Sequence, residues 1–290
     1  MQRHDYSGAD DLHAMQDLVQ RTWTPRCRWH VGDVAWGRYA IPGAAAGFRT
    51  ALWSDCGEVV GWGWAEVPGY LNWVVDPARP DVATEVLAWF EGVAESAELT
   101  TMVLEPEAHL VDALGGAGYS PDRAAAYFVH HHRALDDVEG PHLPDGFRLR
   151  QVQLGEAAAR AAVHRAGWSD FVSRVSTVSY ADVMSAWPYR PELDWVVETD
   201  DGEWVASALG WLDSRNAVGL IEPVGCAPAY RRLGLARAAN LAVLRAFQEA
   251  GATSALVGPR GDDAYPVPAT LYRSIGFEPG ARTVTYRRRR

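Results

Sequence analysis

The sequence predicts an α/β fold with a mixed sheet, laid down twice along one chain. Three observations carry that expectation. At 290 residues the chain exceeds one compact domain and suits two, each able to bury its own core. Apolar residues make up 48% and charged residues 22%, ordinary values for a globular protein. A series of strand, turn, strand and helix in the first half also returns in the second.

In the first half, Val59 to Ala65 reads as a strand, Pro68-Gly69 as a turn and Leu71 to Val75 as the next strand. After Asp76-Pro77, the residues Val82, Val86, Trp89/Phe90 and Val93 form the apolar stripe of a helix. The second half repeats the plan. Trp204 to Trp211 is a strand, Asp213 to Asn216 a turn and Val218 to Cys226 a strand, with Ala227-Pro228 in the place of Asp76-Pro77. Gly118-Tyr119 and Gly276-Phe277 correspond in the same way. The Pro/Gly-rich segment from Asp136 to Gly146 is the expected boundary, giving units 1–136 and 147–290 joined by 137–146. Phe147 to Arg150 starts a new edge strand, and a helix is expected over Glu156 to Ala166.

Several function classes are disfavoured at once. No apolar run approaches the roughly 18–20 residues a membrane helix needs, and the polar N-terminus is not a secretory signal. A formal net charge of −10 argues against a nucleic-acid partner. The tail Arg287 to Arg290 reads as a solvated basic end. Cys27, Cys56 and Cys226 show no CxxC spacing, so neither a disulfide framework nor a metal site is expected, and a reducing, cytoplasmic setting fits.

The most informative stretch is Glu222 to Arg237, Glu-Pro-Val-Gly-Cys-Ala-Pro-Ala-Tyr-Arg-Arg-Leu-Gly-Leu-Ala-Arg. An apolar strand enters a turn that presents Arg231, Arg232, Gly234 and Ala236, and a helix follows at once. Leu233, Ala236, Asn240, Val243/Leu244 and Phe247 share one face of it, with Gly251 as the C-terminal cap. Small residues let the backbone close on an anion, and the amides of a helix N-terminus point outward to receive it. The arginines add charge-assisted bonds suited to phosphate. Pro223 and Gly225 weaken ladder pairing in the strand and mark a bulge or a close backbone approach. In the first half, Ala-Arg-Pro-Asp-Val-Ala-Thr after Pro77 lacks this loop, and Pro80 removes an amide. That copy is expected to keep the fold, bind no coenzyme and shape the acceptor site or support its partner.

With Leu271-Tyr272-Arg273-Ser274-Ile275-Gly276-Phe277 some thirty-five residues later, the chain resembles the GNAT acetyltransferase superfamily. Arg231, Gly234 and Ala236 fit its Arg/Gln-x-x-Gly-x-Gly/Ala loop, and Tyr272 to Phe277 fit its Tyr-x-x-x-Gly-Phe ending. The two-copy layout is similar to that of mycothiol synthase and its relatives. The resemblance implies acetyl-CoA held by Val224, Gly225, Cys226 and Arg231, Arg232, Leu233, Gly234, Leu235, Ala236 and Arg237. It also implies a slot for pantetheine between two splayed strands, direct transfer through a tetrahedral intermediate, and Tyr272 as the acid beside the thioester sulfur. Tyr265 and the Pro-rich Tyr265 to Pro268 depart from the family's Asn-x-x-Ala.

The acceptor amine must lose a proton before it attacks, which requires a base. Glu222 is the candidate. Strand periodicity puts Glu222, Val224 and Cys226 on one face unless a bulge intervenes, in which case the parity flips. The backbone amide of Cys226 is the oxyanion donor candidate, and the Cys226 thiol reads as a small slot-lining group. His130-His131-His132 reads as a solvated strand end and His164 as a partly exposed histidine. Most of the thirteen tryptophans are expected in the core, with Trp168, Trp187, Tyr189 and Trp211 as candidates for the acceptor side. The expected activity is acetylation of the primary amine of a small molecule by a monomer or homodimer with no membrane partner. A protein or peptide amine, or a non-catalytic CoA-binding sensor or scaffold, are the alternatives.

Overall fold

The computed structural model describes residues 1–43, 47–262 and 264–290. The first half runs β1 (Gln2–Asp5), α1 (Ala9–Thr22), α2 (Val31–Tyr39), β2 (Phe48–Asp55), β3 (Glu58–Glu66), β4 (Tyr70–Val75), α3 (Pro80–Val93), β5 (Glu98–Leu104), α4 (Ala108–Gly116), β6 (Ser120–Asp122) and β7 (Val129–Ala134). The second runs β8 (Phe147–Gln151), α5 (Ala157–Gly167), α6 (Thr177–Ser185), β9 (Asp194–Thr199), β10 (Trp204–Asp213), β11 (Val218–Cys226), α7 (Leu235–Glu249), β12 (Ser254–Val257), α8 (Val267–Ser274) and β13 (Glu278–Arg289). Apart from the short β6, the halves follow the same order of elements, and the fold is the expected α/β arrangement on a mixed sheet. Among the described residues no helix is long and apolar enough to cross a membrane.

The two copies share one sheet, in the order β1-β2-β3-β4-β5-β13-β7-β12-β11-β10-β9-β8, with β6 beside β13. Each half lends its last strand to the other. The chain's final strand β13 pairs antiparallel with β5, from Thr283↔Leu104 to Arg289↔Glu98, and β7 pairs antiparallel with β12. The sheet therefore does not divide where the chain does. The segment 137–146 is also anchored: Val138 is buried in the core of the second half, and the Arg133 guanidinium bonds the carbonyls of Ile275 and Asp137.

This exchange corrects two expectations. The solvated basic end holds for Arg289 and Arg290, which are exposed, but not for Arg287 and Arg288. Arg287 pairs with Glu98 at 2.6 Å and Asp122 at 2.8 Å, and Arg288 pairs with Glu91. His130 to His132 is not a solvated strand end either, since β7 lies between β12 and β13, and His130 and His131 are buried.

The same packing device joins helix to sheet in both halves. Val243 and Phe247 of α7 press so close to β10 and β11 that a Cβ on Gly210 would lie 2.6 Å from Val243, and one on Gly219 2.3 Å from Phe247. Val82 and Trp89 of α3 crowd Gly61 and Gly63 at 2.7 Å each. Such contacts leave glycine as the one residue without overlap. Trp53, Trp62, Trp64, Trp73 and Trp211 are fully buried, as expected for most of the tryptophans.

The first half's α2 covers the sheet of the second half, while α1 packs on β2 and β3 of its own half. A Cβ on Gly32 would fall 2.3 Å from the Trp211 ring, so α2 lies directly on β10. His30 caps α2: its Nδ1 accepts the Gly32 amide at 3.1 Å, and its own amide donates to Asp33 Oδ2 at 2.7 Å. The other ring nitrogen of His30 meets the Val218 carbonyl at 3.3 Å, fixing the start of α2 against β11. Gln16 to the Trp187 carbonyl (2.8 Å) and Ser179 to the Ala40 carbonyl (2.9 Å) add further ties between the halves.

Candidate active site

β11 and β12 are paired from Val218↔Ser254 to Leu220↔Leu256 and no further. Beyond that point they part, leaving the β12-facing edge of residues 221–226 without a strand partner. On the other edge the register with β10 slips between Ala208↔Val224 and Gly210↔Ile221, so Glu222-Pro223 bulges. The parity flips there. Gly219 and Ile221 face α7, as do Val224 and Cys226, whereas Leu220 and Glu222 face the opposite side. Glu222 therefore does not share a face with Val224 and Cys226, the outcome that a bulge at Pro223 dictates.

After β11 a 3₁₀ turn, Pro228–Tyr230, leads into the loop, with Arg232 at φ 71° and Gly234 at φ 83° as N-cap of α7. No side chain caps the helix, and among the described residues no acceptor meets the amides of Arg232 to Arg237. Six consecutive donors at a helix N-terminus, beside guanidinium groups, are what a pyrophosphate requires. The residues present thus fit the phosphates of coenzyme A. Arg231 holds the Cys226 carbonyl through Nε at 3.3 Å and pairs with Asp170 at 2.9 Å, and Arg237 pairs with Glu139. Leu233 is exposed and Leu235 buried.

The corresponding places in the first half are filled by its own side chains. Arg79 at the start of α3 bonds Asp55 and Asp81, the latter at 2.9 Å. Glu107 accepts the amides of Leu104 (2.7 Å) and Arg28 (3.2 Å), and His109 meets the Val75 carbonyl at 3.0 Å. Burial pushes the Glu107 carboxyl up to about 7.

A cavity of ≈ 270 Å³ lies between the halves where α2, β3, β4, β7, β11 and β12 meet. Its ionisable and polar walls are Arg28, Asp33, Glu66, Asn72, His130 and Glu222. Trp29, Trp36, Trp64, Phe128, Leu220 and Leu256 supply its apolar surface. Burial, then the Asp33 carboxylate, push the Glu222 carboxyl up to about 8; the Arg28 guanidinium opposes the shift. Burial likewise raises Asp33 to about 6 against the His30 amide and Arg28. Burial pushes His130 down to about 3, so its ring is neutral.

Tyr272 is buried on α8, its ring edge-on to Phe277 at 5.8 Å. Burial, then nearby Glu222, hold its phenol above the ordinary tyrosine range. Glu222 lines the cavity, whereas Tyr272 lies in the core of the second half, near enough for the Glu222 charge to act on its phenol. The Cys226 thiol is raised by burial and meets the Tyr230 carbonyl at 3.4 Å, the behaviour of a packed rather than a reactive thiol.

None of the four aromatics expected at the acceptor side lines the cavity. Trp211 lies under Gly32 with its indole on the Glu222 carbonyl at 2.7 Å. Tyr189 donates to Asp194 (3.2 Å), whose other oxygen forms a fully buried ion pair with Arg160 at 2.8 Å. Trp187 is exposed beside His13. Trp168 donates to the Val224 carbonyl at 3.0 Å, at the strand opening instead. His164 is buried, not partly exposed, between Trp36 and Trp168, and burial pushes it down to about 3. The residues missed by sequence reasoning, Arg28, Asp33 and Trp36, belong to the other half. The His30-x-x-Asp33 capping box at a helix start was their one local signal.

Residues 160–277 match the model of the acetyltransferase (GNAT) family. No curated protein matches the sequence. Solved structures share the fold along almost the whole chain. A tandem GNAT protein from the clavulanic acid biosynthesis pathway aligns with TM-score 0.67 at 16% identity, covering 99% of this chain and 98% of its own. A GCN5-related N-acetyltransferase from Sphaerobacter thermophilus gives 0.62 at 18% identity, with 99% and 95% covered. A GNAT-family acetyltransferase from Colwellia psychrerythraea gives 0.63 at 11% identity, with 99% of both. Likeness at such identity speaks for the fold, while the family match falls on the segment that carries β11, the phosphate loop and Tyr272. The second half thus carries a segment that matches the acetyltransferase (GNAT) family, on a fold that the whole chain shares with a tandem GNAT structure.

Proposed function

We propose that the protein moves an acetyl group from acetyl-CoA to the primary amine of a small molecule held in the cavity between the halves. One observation carries this reading: Glu222 lines that cavity on the strand that continues into the phosphate loop, close enough to Tyr272 to raise its phenol. When bound, acetyl-CoA supplies an activated acyl thioester. Glu222, with its carboxyl held near neutrality, takes a proton from the acceptor ammonium. Tyr272 keeps a proton at Oη, available where a thiolate leaves. The aromatic walls exclude water, which favours transfer over hydrolysis. The chain-internal ion pairs of Arg79 support a first half that binds no coenzyme and serves as a wall of the acceptor site.

Calorimetric titration with acetyl-CoA tests the reading. One site per chain is expected, lost in Arg231→Ala/Gly234→Asp, together with thiol release that accelerates when amines are added. Slow hydrolysis that no amine accelerates, unchanged in Tyr272→Phe, would overturn it in favour of a coenzyme-binding sensor.

A further inference from the structure

Among the described residues Arg28 forms no close ion pair in the cavity. Its guanidinium rests 4.7 Å above the Trp29 ring and, among the described residues, bonds Asn72 Oδ1 at 3.4 Å. Glu66 holds the Asn72 amide at 2.7 Å, so the side chain that orients Arg28 is itself fixed. Trp29 and Trp64 line the same cavity, are more than nine-tenths buried, and have indole N–H groups with no acceptor among the described residues. One region of the cavity thus offers a cation, while Glu222 and Asp33 provide a place for an amine. A guanidinium fork is matched by a carboxylate, which accepts two bonds at once.

We propose that the acceptor is an amine that also carries a carboxylate, an α-amino acid or close analogue, with the carboxylate on Arg28 and the amine turned towards Glu222. The assignment rests on the reading of the cavity as the acceptor site. A simple amine would leave the Arg28 guanidinium with Asn72 Oδ1 as its one close acceptor among the described residues. The α-amine of a peptide carries no carboxylate at that distance. A zwitterion satisfies both the cationic and the acidic groups, and the walls formed by Trp36, Phe128 and Leu256 receive an apolar side chain.

The test pairs each proteinogenic amino acid with its decarboxylated amine, L-phenylalanine with 2-phenylethylamine for example. Binding is measured by calorimetry on the full chain and acetylation by thiol release. At least one amino acid should exceed its decarboxylated partner by about tenfold or more in both, as expected for charge-assisted bonding. Arg28→Gln should bring that ratio close to one, and Arg28→Lys should restore part of it, with circular dichroism confirming the fold of each. Amines that bind and react as well as the amino acids, a ratio that survives Arg28→Gln, or no amino acid bound at all, would each overturn the proposal. Arg28-dependent binding without acetylation would sink the proposed activity and leave the carboxylate site standing. Acetylation without preference would do the reverse.

Discussion

Asp170 holds Arg231 at 2.9 Å, occupying the guanidinium that flanks the free amides of the phosphate loop. The same short segment sets the Trp168 indole on the Val224 carbonyl and Phe171 edge-on to Tyr265, ring centroids 5.1 Å apart. It therefore spans both lips of the β11–β12 opening, and a bound phosphate competes with Asp170 for Arg231. Asp170→Asn should tighten acetyl-CoA binding by about two- to fivefold, the scale of a partly exposed ion pair. Arg231→Ala should weaken it by about tenfold or more, through loss of a charge-assisted bond. Calorimetry at fixed ionic strength distinguishes the two, and equal affinity in Asp170→Asn would remove the competition.

The Glu222–Asp33 pair makes activity depend on pH in a signed way. The Glu222 carboxyl is raised to about 8, so the base is protonated below that pH and kcat/KM should rise through it. Asp33→Asn removes a like charge, lets Glu222 ionise more readily, and should move the rising limb to lower pH. Glu222→Gln should cut turnover at neutral pH by about 10²–10⁴ and lose less at high pH, where the acceptor ammonium loses its proton without help. Stability follows the same proton. Between the ordinary carboxylate range and about 8 the folded chain retains a proton that the unfolded chain releases, so Glu222 makes stability fall as pH rises there. A flat rate profile from pH 6 to 9 would exclude Glu222 as the base.

Tyr272 is held protonated by burial and by Glu222, so it should not add an alkaline decline within the usual assay range. Tyr272→Phe keeps the ring against Phe277 and removes only Oη. Turnover should drop by about 10²-fold or more while acetyl-CoA affinity stays within about twofold. Pre-steady-state thiol release, set beside the calorimetric affinity, separates loss of the acid from loss of binding. Equal turnover in the variant would leave the leaving group without help from this phenol.

Local chemistry was legible and partnership was not. The stripe of α7 from Asn240 to Phe247, the glycine at the head of its helix and Tyr272 follow from spacing and backbone preference, which neighbours along the chain decide; Leu233, expected on that stripe, precedes the helix and is exposed. The parity of β11 was half legible: Pro223 announced the bulge that turns Glu222 away from Val224 and Cys226. The histidines of β7 were read as solvent-facing because alternation in a strand says nothing of what lies beside it. Their neighbours, β12 and β13, come from more than 110 residues further on. The cavity walls from the first half were missed for the same reason. Trp29, Trp36 and Asp33 reach the cavity only because the first half's α2 crosses onto the second half's sheet.

That crossing is itself open to test at Gly32. A Cβ there would lie 2.3 Å from Trp211 Cγ and 2.4 Å from its Cβ, inside a contact that neither α2 nor β10 can relax alone. Gly32→Ala should therefore cost about 1–3 kcal/mol as an overpacked core site, seen as a Tm lower by about 2–4 °C per kcal/mol for a chain of this size. The displaced helix also carries Asp33 and Trp36, so kcat/KM should fall well beyond the loss of folded protein, and the pH limb set by Asp33 should shift. Gly92→Ala is the control, since nothing lies within 4 Å of its added Cβ in helix α3. There alanine should stabilise by about 0.5–1 kcal/mol and leave the rate profile in place. If both variants kept wild-type rates and pH profiles, α2 would not be the wall that positions the acceptor.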